Sequence, residues 1–206
     1  VQMNQTMFDM LHPLLISQPY INNVICYNNE GIPKIDYDLD RFRVDFRNLS
    51  AGNISLWYNM VYPELRPDLH LPSLKVIPKP NDYIIVNRSA RYNNLFINYS
   101  LLKEYDNVYF VGVKREFETL SVNNSRLNYL EVSDFYELAS YIAGCKLFIG
   151  NQSMAFAIAE QLKVKRILES HYLCPNVIPC GGEYYNFQTN EQFKSILDSI
   201  NGQNKN

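Results

Sequence analysis

Residues Tyr129 to Ser170, YLEVSDFYELASYIAGCKLFIGNQSMAFAIAEQLKVKRILES, constrain this chain more than any other stretch. They parse as strand, helix, strand, helix, strand with almost no slack, and such alternation builds a parallel sheet covered by helices. The first helix begins at Asp134, whose carboxylate can cap the opening amides while Glu137 reciprocates three residues on. Phe135, Leu138, Ala139 and Ile142 then recur at i, i+3, i+4 and i+7, one apolar stripe for the sheet. Gly144 is read as the stop, a residue free to take positive φ. Lys146 to Ile149 form the next strand, and the turn Gly150-Asn151-Gln152-Ser153 leads into a helix that buries Ala155, Ile158, Ala159 and Leu162.

That turn is the natural place for chemistry. It joins the carboxyl end of a parallel strand to the amino end of a helix, where unpaired N–H groups and the positive end of the helix dipole attract a phosphate. Asn151 and Ser153 add side-chain donors, and either one serves equally well as a plain N-cap.

Further strands are expected to begin near 83, 108, 129, 146 and 165, the first of them the fully apolar Tyr83 to Val86. A helix is predicted over Leu95, Tyr99 and Leu102. Thr189 with Gln192 caps a last helix whose Phe193, Ile196, Leu197 and Ile200 face inward. The fold class is therefore α/β, a Rossmann-like parallel sheet with helices on both faces. Ligands of such sheets sit beyond the carboxyl ends of the strands. The loops there are Asn87 to Arg91, Gly112 to Glu116, Val132 to Ser133 and Asn151 to Ser153, and Arg88 and Arg91 carry the charge to bind phosphate or to remain solvated.

Upstream, Thr6 to Ser17 has helical spacing interrupted by Pro13, and Ile21 to Tyr27 reads as a strand. Together they look like the last unit of a second α/β domain. Asn53 to Tyr62 is aromatic and helical in pattern, and prolines at 63, 67, 72, 78 and 80 mark a linker. Residues 1–78 are thus expected to be a partial amino-terminal domain with its linker, and 79–206 a second domain. The chain begins with Val1 rather than Met, and further residues are expected upstream.

Composition removes several functions. A net charge of -2 over 206 residues offers no broad footprint for nucleic acid. No apolar run approaches the ~20 residues of a membrane span. Cys26, Cys145, Cys174 and Cys180 include no C-x-x-C pair, and reduced thiols and a cytosolic location are expected. The Asp36 to Asp40 run lacks the glycine and glutamate of a calcium loop, so no metal is expected. With neither G-x-G-x-x-G nor G-x-x-x-x-G-K-[ST] present, no dinucleotide cofactor and no Walker-type site is expected. Asn-x-Ser/Thr triplets at Asn4, Asn48, Asn53, Asn87 and Asn98 follow from asparagine-rich composition rather than from glycosylation.

CKLFIGNQSMAFAIAEQLKVKRI resembles the signature segment of GT-B-type glycosyltransferases, nearest the ADP-heptose lipopolysaccharide heptosyltransferases, whose pattern F-I-G-N-D-S-G-P-x-H-L-A-A-A-L-G-V-P aligns without gaps on Phe148 to Lys165. LEVSDFYELASYIAGC is similar to the family's base-side loop and helix, and FVGVKREFE to its G-G-x-x-E-x-E segment. The likeness spans about residues 80 to 200. It implies that 79–206 is the nucleotide-sugar-binding half, with Asn151, Gln152 and Ser153 facing the diphosphate, Arg88 and Ser89 assisting, and Val132 beside the base. With Asn87, Arg91 and Gly112 from the neighbouring loops, these make the expected substrate-binding set.

Gln152, Met154 and Ala157 depart from the family's acidic residue, glycine and histidine, and no catalytic base is assigned. The implied function is metal-independent hexosyl or heptosyl transfer from a nucleotide-sugar to a glycan or lipid-linked acceptor. The alternatives are a non-catalytic α/β nucleotide-binding or interaction module derived from that fold and, less well matched, a nucleotide-sugar epimerase.

Overall fold

The structure, a computed structural model, describes residues 3–26, 34–45 and 52–203. Six strands form one sheet, every neighbouring pair parallel: β1 (Ile84–Asn87), β2 (Val108–Phe110), β3 (Asn128–Tyr129), β4 (Leu147–Asn151), β5 (Arg166–Glu169) and β6 (Tyr184–Phe187). Their order is β3-β2-β1-β4-β5-β6, the doubly wound order whose direction reverses between β1 and β4.

Both faces are buried, because successive side chains of a strand point to opposite sides. Ile84, Val86, Leu147, Ile149 and Ile167 enter one core, with Phe193, Leu197 and Ile200 of α6 (Asn190–Gln203). Ile85, Phe148 and Leu168 enter the other, with α4 (Phe135–Gly144), α5 (Met154–Leu162) and Leu14 of α1 (Gln5–Ile16). The Rossmann-like α/β reading of the sequence is what the chain adopts.

The local signals on α4 and α6 act as read. Asp134 accepts from the Glu137 amide at 2.8 Å, and Glu137 reaches back to the Ser133 amide at 2.8 Å. Thr189 Oγ1 accepts from Gln192 N while Gln192 Oε1 accepts from Thr189 N, both at 3.3 Å. Asn4, Asn53 and Asn98 each accept an amide two or three residues ahead, which gives three of the Asn-x-Ser/Thr triplets a capping role. Asn48 lies outside the described residues.

Four expectations need correction. Residues 21–26 belong to no strand, and Ile25 is exposed; Tyr27 lies outside the described residues. The segment over Leu95 to Leu102 is helical only at its end, in the 3-10 helix Tyr99–Glu104, while the stretch expected to be helical at Asn53 to Tyr62 does hold a helix, of 3-10 type, at Ile54–Met60. Gly144 is not at positive φ. It is required because a Cβ there would lie 2.0 Å from the Lys79 carbonyl oxygen, where the 78–81 strap crosses α4. Finally β6 was not foreseen, because its Tyr184-Tyr185-Asn186-Phe187 is half polar and exists only by pairing with β5.

Among the described residues, 3–78 contribute helices and extended chain. Pro13 sits inside α1, which packs on α4. Gln18, buried, fastens the end of α1 to the chain just before the strap by donating to Lys75 O at 3.2 Å and accepting from Lys75 N at 2.8 Å. Phe42 of the short helix α2 (Phe42–Asp45) meets Trp57 edge-on. Phe117 and Leu120 of the helix α3 (Lys114–Ser121) border the first core.

Candidate functional site

The turn from β4 into α5 lies beside the end of β1, at the point where the strand order reverses. Asn151 is wholly buried, and its side chain ties the two strand ends together. Its Oδ1 accepts from Ser89 N at 2.9 Å and its Nδ2 donates to Ser89 O at 2.7 Å. Ser153 is the N-cap of α5, accepting from Phe156 N at 3.2 Å. Capping at that position leaves the first two helical amides, Met154 and Ala155, with no acceptor inside the helix. Both residues are at the surface of an open cavity.

Two cavities, each of about 480 Å³, flank this helix end and share Ser89, Ser153 and Met154. The first also has Arg91, Tyr92, Gln152 and Ala157 on its wall, closed at the far side by Ile54, Ser55, Asn176 and Val177. The second lies over the ends of β1, β2 and β3, with Asn87, Gly112, Val132, Tyr129 and Phe135 on its wall and Met7 and Met10 of α1 across the top. Phe156 is buried in the core and Met154 is 43% exposed, so neither fills the corner.

The nine residues singled out in the sequence therefore divide four ways. Ser89 and Ser153 border both cavities; Arg91 and Gln152 border the first; Asn87, Gly112 and Val132 border the second. Arg88 and Asn151 stand on neither wall. The Arg88 guanidinium is spent inward, on Glu169 at 2.8 Å and the Asn94 carbonyl at 2.6 Å, and it lies 4.7 Å over the Tyr99 ring. Glu169 is fully buried and also accepts from Asn94 N. This knot fixes the loop that follows β1. Burial above all, with the Glu169 charge adding to it, holds the Tyr99 phenol well above its ordinary value.

Charge on the cavity walls is sparse. Arg91 is the cation of the first cavity, its guanidinium 4.9 Å from the Tyr92 ring. Glu160, on the same wall, is neutralised from behind by Arg166 at 2.6 Å and Lys163 at 2.7 Å. Glu116 borders the second cavity and accepts from Ala90 N at 2.7 Å, bracing the β1 loop from the other side. Among the buried side-chain atoms without a hydrogen-bond partner, two belong to residues of these walls: Gln152 Oε1 and Asn87 Oδ1. Gln152 Nε2 is used by Asn176 Oδ1. Among the described residues no group of three or more His, Cys, Asp or Glu could hold a metal ion. Within the Asp36 to Asp40 run, Asp38 accepts from Asp40 N and Asp40 pairs with Arg43. Burial pushes the Cys145 thiol up to about 12, which removes it as a nucleophile.

Several wall residues had no place in the sequence-based set. Glu116 falls in the FVGVKREFE segment and was within reach of it. Met7, Met10, Ile54 and Asn176 carry no local signal, since only the docking of α1 and of the 54–60 and 174–180 segments brings them here. Ile54 N donates to Asn176 O at 2.8 Å, and Asn53 Nδ2 to Ile178 O at 3.0 Å.

No protein-family model matches the sequence, and no curated protein matches it. Solved structures similar to this chain include ADP-heptose lps heptosyltransferase II of E. coli, at 13% identity and a TM-score of 0.44, covering 61% of this chain and 49% of that one. A glycosyl transferase family 9 structure from Veillonella parvula DSM 2008 is similar at 12% identity and a TM-score of 0.47, covering 75% and 53%. The chain spans about half the length of each. No helix among the described residues is long and apolar enough to cross a membrane.

Proposed function

We propose that residues 79–206 form the nucleotide-sugar-binding half of a cytosolic, metal-independent glycosyltransferase, with 1–78 belonging to the acceptor side and linker. The observation that carries this reading is the open corner at the amino end of α5: two cavities meet there, at the strand-order reversal of a doubly wound sheet. In this reading the diphosphate rests on the Met154 and Ala155 amides. The nucleoside enters the cavity beneath α1, and the sugar points into the cavity of Arg91 and Tyr92.

Negative charge grows on the departing diphosphate as the glycosidic bond breaks. Helix amides and the Arg91 guanidinium oppose that charge at fixed positions, so they stabilise it without reorganising. Arg88 and Asn151 act from behind, holding the β1 loop against the β4 turn. The acceptor, a glycan or a lipid-linked sugar, approaches from the open side of the first cavity.

A second reading, a binding module without transfer, is favoured by one feature: Gln152 occupies the position of the family's acidic residue and is tied to Asn176. Both readings require nucleotide binding, and only the first requires turnover. The test is a thermal-shift panel of nucleoside diphosphates and their sugars, since a ligand that binds only the folded form raises its melting temperature. At least one is expected to do so, and Arg91→Ala is expected to weaken it about tenfold, as for a lost charge-assisted hydrogen bond. A panel with no shift at millimolar concentration refutes both readings. Binding with no hydrolysis of the sugar-nucleotide and no transfer leaves the second.

A further inference from the structure

Resting on the donor site proposed above but lying outside it, we infer that the rings of Phe96 and Tyr172 form a stacking surface for an uncharged sugar of the acceptor. Four rings run in contact from the first cavity out to solvent. Tyr92, on the cavity wall, meets His171 edge-on at 6.0 Å between centroids, His171 stacks on Tyr172 at 5.0 Å, and Tyr172 meets Phe96 at 6.4 Å with the two planes inclined by 56°. The outer end of this row is bare. Phe96 is 77% exposed and Tyr172 53%, and their sequence neighbours Leu95 and Leu173 are exposed with them. A contiguous apolar patch that leads into a cavity marks a place where something docks.

The backbone holds these rings in place before anything binds, which lowers the ordering cost of docking. Phe96 N donates to Asn94 Oδ1 at 3.1 Å, and the Phe96 carbonyl accepts from Asn190 Nδ2 at 2.9 Å. Asn94 is buried in the Arg88–Glu169 knot, so that knot also sets the loop that displays Phe96. On the other loop Leu173 N donates to His171 Nδ1 at 3.3 Å and Cys174 N to His171 O at 3.2 Å. Charge then selects the occupant. Residues 92–98, YNNLFIN, and 170–178, SHYLCPNVI, hold no Lys, Arg, Asp or Glu. An anionic lipid surface or an acidic polysaccharide finds no counter-charge there. A cation is opposed at the inner end by the Arg91 guanidinium, 4.9 Å from the Tyr92 ring. A second copy of the chain would need roughly 20–30 residues a side, and the row offers only a few. A neutral pyranose fits: its C–H face rests on the electron-rich face of an aromatic ring while its hydroxyls stay in water.

The probes are maltohexaose, cellohexaose, chitohexaose and mannohexaose, titrated by calorimetry against the full chain saturated with the nucleoside diphosphate that binds it tightest. At least one is expected to bind. Phe96→Ala and Tyr172→Ala are each expected to weaken it about fivefold, the size of one ring contact, and Tyr172→Trp, which keeps a ring, to retain it. Because both side chains are mostly exposed, melting temperature and nucleoside diphosphate affinity should not change in these variants. Nucleotide binding without binding of any hexasaccharide at millimolar concentration overturns the stacking surface alone, as does hexasaccharide binding that ignores both alanine variants. Tighter binding of hexagalacturonate or of phosphatidylglycerol vesicles, lost in Phe96→Ala, overturns it in favour of a charged partner, and a wild-type dimer that Phe96→Ala dissociates overturns it in favour of a second copy. Failure of wild type to bind any nucleoside diphosphate overturns instead the donor-site reading on which the inference rests.

Discussion

Gly144→Ala should destabilise this protein, although on an isolated helix the same change would stabilise it. Gly144 is the last residue of α4, where alanine gains about 1 kcal/mol in helix propensity. Against that, the new Cβ would stand 2.0 Å from Lys79 O, 2.6 Å from Lys79 C and 3.0 Å from Pro80 N. All three are backbone atoms, and Cβ contacts below 3.0 Å are essentially never seen, so helix and strap must part by about 1 Å. Besides the Lys79–Glu137 ion pair, three hydrogen bonds nearer Gly144 span that seam: Lys79 N to Ser140 O at 2.9 Å, Asn81 N to Gly144 O at 3.2 Å, and Asn81 Nδ2 to Tyr141 O at 3.1 Å.

Losing two of the three costs about 2 kcal/mol, and the overpacking itself about 1–3 kcal/mol. Net of the propensity gain, stability should fall by about 2–4 kcal/mol, which at this chain length lowers the melting temperature by roughly 5–12 °C. Urea titration followed by circular dichroism measures it, with an unchanged slope identifying a pure stability effect. A midpoint equal to or above wild type would show that the strap yields freely and that helix propensity decides the sign.

Glu169→Gln should cost about 3 kcal/mol, because it leaves the Arg88 guanidinium buried without its counter-charge, and Arg88→Met added to it should restore most of the loss; equal unfolding midpoints for wild type and Glu169→Gln would dispose of the knot as the anchor of the β1 loop. Lys79 first, then the Ser133 amide and hydroxyl, lower the Glu137 carboxyl from its ordinary 4.5 to about 2. A depressed folded-state value means stability present above about pH 4.5 and lost as pH falls toward 2. Denaturation of wild type and Glu137→Gln should therefore differ at pH 7 and converge near pH 2, and a gap that persists at low pH would assign it to packing instead. Met154→Trp should weaken nucleoside diphosphate binding at least about tenfold by filling the corner shared by the two cavities. Since Met154 is 43% exposed, the apo melting temperature should hold. Unchanged affinity would move the ligand elsewhere.

Much of this was written locally. The apolar runs that became β1 and β4 and the helical stripes of α4, α5 and α6 carry their period and caps within about a dozen residues, so neighbouring positions suffice to read them. The turn at Asn151 to Ser153 was legible for the same reason, because a strand end followed by a capped helix is itself a short-range pattern. Which atoms face a ligand was not. Asn151 and Ser89 lie 62 residues apart and Arg88 and Glu169 81, and a guanidinium read as free for phosphate turns out to be held by a buried carboxylate that no local window contains.

Sequence alone thus determined that alternating strands and helices must form a parallel sheet with a tight turn from strand end into capped helix, because periodicity and capping are properties of adjacent residues. Tertiary structure alone decided that β6 forms at all, that Gly144 serves a close crossing, and that α1 roofs one of two cavities. Each of these depends on which distant surfaces meet, and on which polar atoms, once they meet, still lack a partner.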